Sequence, residues 1–179
     1  WLCFLKLERK LTLKSQRDGL TKLSNREYFF DQVERYWEQY KNLPCGLLMI
    51  DIDFFKNIND QFGHATGDLA LREIAKLLSK QVRTNDAVGR IGGEEFAILL
   101  PNTEISGADM LAQKVRENIE SASIATSSGN VKCTVSLGVA CTGKEHNLSP
   151  EQFVECADKA LYAAKNQGRN CVVVQKIEE

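Results

Sequence analysis

No apolar run in this 179-residue chain approaches the roughly 20 residues that a membrane-spanning helix needs, and no secretory leader pattern opens it. Basic charge is not in excess: 23 Lys plus Arg stand against 24 Asp plus Glu, which argues against a nucleic-acid partner held by counterion release. Histidine is scarce, with two residues, and the six cysteines (Cys3, Cys45, Cys133, Cys141, Cys156, Cys171) contain no C-x-x-C pair. That spacing speaks against a zinc site and suits reduced, packed thiols in a cytoplasmic protein. Repeats and low-complexity tracts are missing, and the length allows one ordinary domain but not two. No G-x-x-x-x-G-K-[ST] loop occurs, so a P-loop nucleotide site is excluded; Gly63-His64-Ala65-Thr66-Gly67-Asp68 lacks its lysine and hydroxyl.

What is present is a regular alternation of element signals. Residues 1–16 place Leu2, Phe4, Leu5, Leu7, Leu11 and Leu13 among charges, an amphipathic helix with nothing local to cover its stripe. It reads as a linker or signalling helix at the end of an upstream region, either the cytoplasmic end of a membrane helix or a soluble helix that packs on a partner. Residues 17–179 then form the domain proper. Ser24 or Asn25 caps a helix to about Tyr40 with Phe29, Phe30, Val33 and Trp37 inward. Gly46 to Ile50 is a strand covered on both faces, ending in Asp51 and Asp53.

Helices near 55–62 and 67–82 follow, then a hairpin from Asp86 to Leu100 whose Gly92-Gly93 link suits a two-residue primed turn with positive φ. A helix over 104–121, a strand from Val131 to Ala140, a helix over 150–166 begun by Ser149 and a last strand from Cys171 to Gln175 complete the chain. The fold class is α/β in the mixed sense, a central partly antiparallel β-sheet flanked by helices.

The chemistry concentrates at strand ends. Asp51 and Asp53 lie two apart in extended backbone and face the same way, where two carboxylates repel unless a cation or protons intervene. The glycine turn adds Glu94 and Glu95, which completes a cluster of four acids, hard oxygen donors of the kind magnesium takes. At the end of the 150–166 helix, Lys165 and Arg169 lie four apart. Alone they are ordinary C-terminal helix charges around Gly168; beside a metal cluster, they suggest a triphosphate.

In this order the blocks resemble those of GGDEF domains, across nine tenths of the chain. They are Asp18 to Arg26, the Asp51-Ile52-Asp53-Phe54-Phe55-Lys56-Asn57-Ile58-Asn59-Asp60 run, Gly63-His64, Gly67-Asp68, Gly92-Gly93-Glu94-Glu95-Phe96, Thr134-Val135-Ser136-Leu137-Gly138, and Lys165 to Asn170. The resemblance implies a sheet similar to that of adenylyl cyclases and polymerase palm domains. It implies a diguanylate cyclase that joins two GTP into cyclic di-GMP across a homodimer with two Mg²⁺ per active site, Mn²⁺ being a possible substitute.

Asp51, the Ile52 carbonyl and Glu94 would hold metal, and Glu94, Glu95 and Asp53 form the catalytic group, with Glu95 or Glu94 deprotonating the attacking hydroxyl. Asn59 and Asp68 would read guanine, while the amides of Phe55 and Lys56 with Lys165 and Arg169 would grip phosphates. Arg83 and Asp86 fit the R-x-x-D of a product inhibitory site, to which Lys114 supplies a cation where the family often has arginine. A binding module that has lost turnover and a cyclase with another product are the rival readings; the intact hairpin and metal aspartate argue against the first.

Overall fold

A computed structural model describes residues 16–40, 43–126, 129–144 and 146–177, the Lys176 side chain excepted. The helix expected over residues 2 to 16 and Cys3 therefore lie outside the described residues, apart from Gln16. The elements are α1 (Arg26–Gln39), β1 (Cys45–Ile52), α2 (Phe55–Phe62), α3 (His64–Gln81), β2 (Ala87–Arg90), β3 (Glu95–Pro101), α4 (Ile105–Ser121), β4 (Ile124–Thr126), β5 (Gly129–Val131), β6 (Val135–Thr142), α5 (Pro150–Asn166) and β7 (Val172–Lys176). The main sheet runs β2-β3-β1-β6-β7, with β4 and β5 forming a separate two-stranded ribbon. Its pairings are antiparallel except β6 with β7, so the expected mixed, partly antiparallel sheet is what forms.

The alternation of β1 sorts the core into two layers. Leu48, Ile50 and Ile52 face α3 and α4, packing with Ile74, Leu78, Val115 and Ile119. Leu47 and Met49 face α1 and α5 and join Phe29, Val33, Trp37, Phe153, Ala157 and Leu161. Every residue of β1 is buried, as a strand covered by helices on both faces must be. Asn25, not Ser24, caps α1: its side chain accepts from the Tyr28 amide at 2.9 Å. Ser149 and Gln152 close a capping box on α5.

Two expectations about strands need correction. Neither Gly92 nor Gly93 has the left-handed φ of a primed two-residue turn. The hairpin link is longer, with the Ile91 and Gly92 amides both donating to the Glu95 carbonyl. The Glu95 side chain folds back over Gly92, with its Oε2 2.1 Å from where a Cβ would lie, a contact that a flexible side-chain end could relieve by moving. The single strand expected from Val131 to Ala140 is divided at 132–134: Gly129–Val131 pairs with Ile124–Thr126 in the separate ribbon, and β6 begins only at Val135. Cys45, Cys133 and Cys141 are buried and Cys156 and Cys171 half-buried, all five as free thiols.

Candidate active site

The carboxyl end of β1 meets the hairpin loop, the start of α2 and the end of α5. Asp51 pairs across the sheet with Glu95 on one side and Ser136 on the other, so these three side chains share a face. Asp51 is 7 % exposed, and its Oδ2 lies 2.7 Å from Nζ of Lys165. Lys165 reaches it because α5 lies directly on the backbone of β6. A Cβ at Gly138 would sit 2.1 Å from the Leu161 amide nitrogen and 2.3 Å from the Ala157 carbonyl oxygen. Lys165 is one turn beyond Leu161, on the same helix side.

Burial is the chief influence on the Asp51 carboxyl and lifts it above the usual range; the Lys165 ammonium pulls the other way without cancelling it, and Asp53 adds to the rise. Glu94, half-buried in the loop, is raised first by burial and next by the charge of Asp51. Its carbonyl accepts from the Ile52 amide at 3.2 Å, which ties the loop to the end of β1. The four acids do not form one cluster, however. Among the described residues no three Asp, Glu, His or Cys side chains converge on a point that can hold a metal. Glu95 lies over Gly92, and Asp53 accepts hydrogen bonds from Thr134, Ser136 and the Asn170 amide. Two raised carboxyls facing a single ammonium remain, with the Ile52 carbonyl between them in sequence. Magnesium, which keeps several waters and takes one or two protein carboxylates together with substrate phosphates, fits that donor set.

The other expected residues fall around this centre. Phe54 has a left-handed φ of 53° and starts α2, so the Phe55 and Lys56 amides belong to the helix's first turn. Arg169, φ 66°, holds its guanidinium 4.6 Å above the exposed Phe54 ring. Asn59 on α2 lies against α3: a Cβ at Gly67 would meet its Oδ1 at 2.0 Å, with Asp68 next in sequence and exposed. Arg83 and Asp86 form a tight turn, in which Asp86 Oδ2 accepts from the Arg83 amide at 2.7 Å. The guanidinium of Arg83 is exposed and makes no ion pair with Asp86, so the pair is not a plain surface salt bridge. Lys114 is exposed on α4, whereas its neighbour Arg116 turns to Glu120 and Asn170.

Sequence reasoning gave no role to the residues that brace the hairpin loop. Arg90 donates through Nε and Nη2 to the Gly93 carbonyl and meets Asp18 at 3.3 Å, while Arg26 donates to the Ile91 carbonyl. Asp18 in turn accepts from both the amide and hydroxyl of Thr21. The Arg26–Ile91 and Arg90–Asp18 contacts join residues 65 and 72 apart, which no local pattern reveals; the only signal was that Asp18, Thr21 and Arg26 lie within the recognised blocks.

Comparisons with known proteins agree with this arrangement. The chain matches the family described as "Diguanylate cyclase, GGDEF domain" over residues 15–171. It is 40% identical to diguanylate cyclase A of Treponema denticola over 164 residues, 89% of this chain and 44% of that protein. It is 36% identical to the probable diguanylate cyclase DgcT of Escherichia coli, over 91% of this chain and 36% of that one. The chain thus spans less than half the length of these curated relatives. Among solved structures, the coiled coil and GGDEF domain of DgcB from Caulobacter crescentus, in complex with c-di-GMP, superposes with a TM-score of 0.90. That match has 30% identity and covers 96% of this chain and 92% of that one. With the family's blocks meeting at one end of one sheet, and its description matching most of the sequence, the chain belongs to the GGDEF family of diguanylate cyclase domains.

Proposed function

We propose that this chain is a diguanylate cyclase that condenses two GTP into cyclic di-GMP and two pyrophosphates across a homodimer. The observation that carries the reading is the Asp51–Lys165 pair at the carboxyl end of β1 with Glu94 close enough to feel both charges. Asp51, the Ile52 carbonyl and Glu94 would hold Mg²⁺, two ions per site, with Mn²⁺ a workable substitute. Bound there, the metal would activate the nucleophile and neutralise the leaving phosphates. Glu95 or Glu94 takes the proton of the 3′-hydroxyl. That oxygen bonds to the α-phosphorus of the GTP on the other subunit, and the α–β phosphoanhydride bond breaks to release pyrophosphate. Lys165, Arg169 and the Phe55 and Lys56 amides engage the triphosphate; Asn59 and Asp68 read guanine edges, an amide and a carboxylate matching its acceptors and donors.

One subunit carries half of this centre. Residues 1–16 act as the linker helix that pairs two copies, and 17–179 as the catalytic domain. No helix among the described residues is long and apolar enough to cross a membrane, and the need for GTP places the domain in the cytoplasm. Incubation with GTP or ATP and Mg²⁺, followed by product mass analysis, tests the reading. Cyclic di-GMP from GTP alone is expected, with specific activity falling on dilution through the dimer's dissociation range. Product from ATP, or activity flat in a demonstrably monomeric range, would refute it.

Arg83, Asp86 and Lys114 form the product inhibitory site in this reading, and the exposure of the Arg83 guanidinium supports it. Arg83→Ala should keep the initial rate, remove product inhibition and weaken cyclic di-GMP binding in calorimetry by about tenfold or more, as expected for loss of a charged fork on phosphate. Lys114→Arg should strengthen inhibition. Unchanged product affinity in Arg83→Ala would reduce the motif to a surface turn.

A further inference from the structure

Asp53 stands out among the acids at the end of β1 because its carboxylate is already spoken for. It is 4 % exposed. Oδ1 accepts from the Ser136 hydroxyl at 2.6 Å, and Oδ2 from the Thr134 hydroxyl at 2.7 Å and the Asn170 amide at 3.0 Å. Its own amide donates to the Thr134 carbonyl at 2.9 Å. A general base or a metal ligand needs a lone pair open to its target, whereas three donors, from Thr134, Ser136 and the loop after α5, already occupy most of the roughly four lone-pair positions of this carboxylate.

That loop is held in an unusual shape. Gly168, Arg169 and Asn170 have φ of 111°, 66° and 46°, a run of left-handed residues that two non-glycines avoid unless their surroundings fix them. Asp53 supplies the inner fastening through the Asn170 amide. The outer one comes from α4: the Asn170 side chain accepts from Arg116 at 3.3 Å and donates to Glu120 at 2.7 Å, and Arg116 and Glu120 pair with each other at 2.7 Å. Both cations expected on phosphate flank or belong to this loop. Lys165 closes α5 just before it, and Arg169 sits within it, over Phe54.

We propose that Asp53 is a positioning residue, a clasp that fastens the Gln167–Asn170 loop to β1 and β6 and thereby sets where Lys165 and Arg169 present their charges. It does not act as base or metal ligand. The part of the proposal that concerns nucleotide rests on the cyclase reading above; the clasp itself does not. Asp53→Asn, Thr134→Val and Ser136→Ala each remove part of it, and Thr134→Ser retains the hydroxyl.

Two measurements on the full chain decide the matter: the rate of native tryptic cutting after Lys165 and Arg169, followed by mass spectrometry, and the affinity for a non-hydrolysable GTP analogue with Mg²⁺ by calorimetry. In Thr134→Val/Ser136→Ala, local release of the loop should speed cutting about tenfold or more while the melt stays cooperative. Analogue affinity should fall by about tenfold as two charge-bearing groups lose their fixed places. Thr134→Ser should resemble wild type in both. Where the double variant folds poorly, the isosteric Thr134→Val against Thr134→Ser makes the same comparison. Unchanged cutting overturns the clasp, whatever the analogue does. Accelerated cutting in a protein whose wild type binds no analogue would keep the clasp and sink the nucleotide reading.

Discussion

Asp51→Asn is expected to remove cyclic di-GMP synthesis, by a factor of about a hundred or more, and to leave the fold standing. The rate loss follows from the proposed metal site: if magnesium takes Asp51, Glu94 and the Ile52 carbonyl, losing one carboxylate removes a large share of the charge that would hold the ion. The fold survives because asparagine keeps the volume and one acceptor oxygen. Burial raises the Asp51 carboxyl, so this group's contribution to stability is greatest in acid and declines as pH rises through its folded pKa. Neutralising it therefore removes an unfavourable burial of charge at neutral pH, against the lost pairing with Lys165, whose side chain keeps 32% exposure to water. Thermal midpoints within a few degrees of wild type, with the rate at background, are the expected pair of results. Glu94→Gln should behave alike. Turnover within tenfold of wild type for either variant would remove the assignment of these two residues.

Gly138→Ala should do the reverse and damage the fold first. The new methyl would meet backbone atoms of α5 at 2.1 and 2.3 Å, and backbone cannot step aside as a side-chain end can. The helix must move off the sheet, taking Phe153, Ala157 and Leu161 partly out of the core they share with Trp37 and Met49. Overpacking of this kind costs about 3 kcal/mol. For a domain of this size that lowers the melting midpoint by roughly 6 to 12 °C. Lys165 rides on the same helix, so the folded fraction should also bind nucleotide weakly. A midpoint within about 2 °C of wild type would mean that α5 has more freedom on β6 than the contacts at Gly138 allow.

Much of this was legible in the chain because the signals were local. The apolar run ending in Asp51, the Ser149 cap, the Ser24 or Asn25 cap of the first helix, and the helical spacing of Phe29, Val33 and Trp37 are set by residues within one or two turns of one another, and the elements formed where those patterns place them. The order of the blocks was enough to identify the family. The Gly-Gly turn was misread because glycine admits two explanations, free φ and close approach. In the structure neither Gly92 nor Gly93 takes a left-handed φ, and the Ile91 and Gly92 amides close the link on the Glu95 carbonyl.

What the sequence by itself determined, then, was the helices and the strands of the main sheet and the presence of acids and cations at their ends, since each depends on neighbours along the chain, whereas the β4–β5 ribbon appears only in the structure. What only the tertiary structure decided was which of those charges meet. Asp53 differs from Asp51 by two positions and looks equivalent in sequence. It becomes a different group because Thr134, Ser136 and Asn170, 81 to 117 residues away, arrive with donors, while Asp51 meets Lys165. Hydrogen bonds and desolvation act over a few ångströms, and that proximity exists only after the sheet has brought β6 and the end of α5 to the tip of β1.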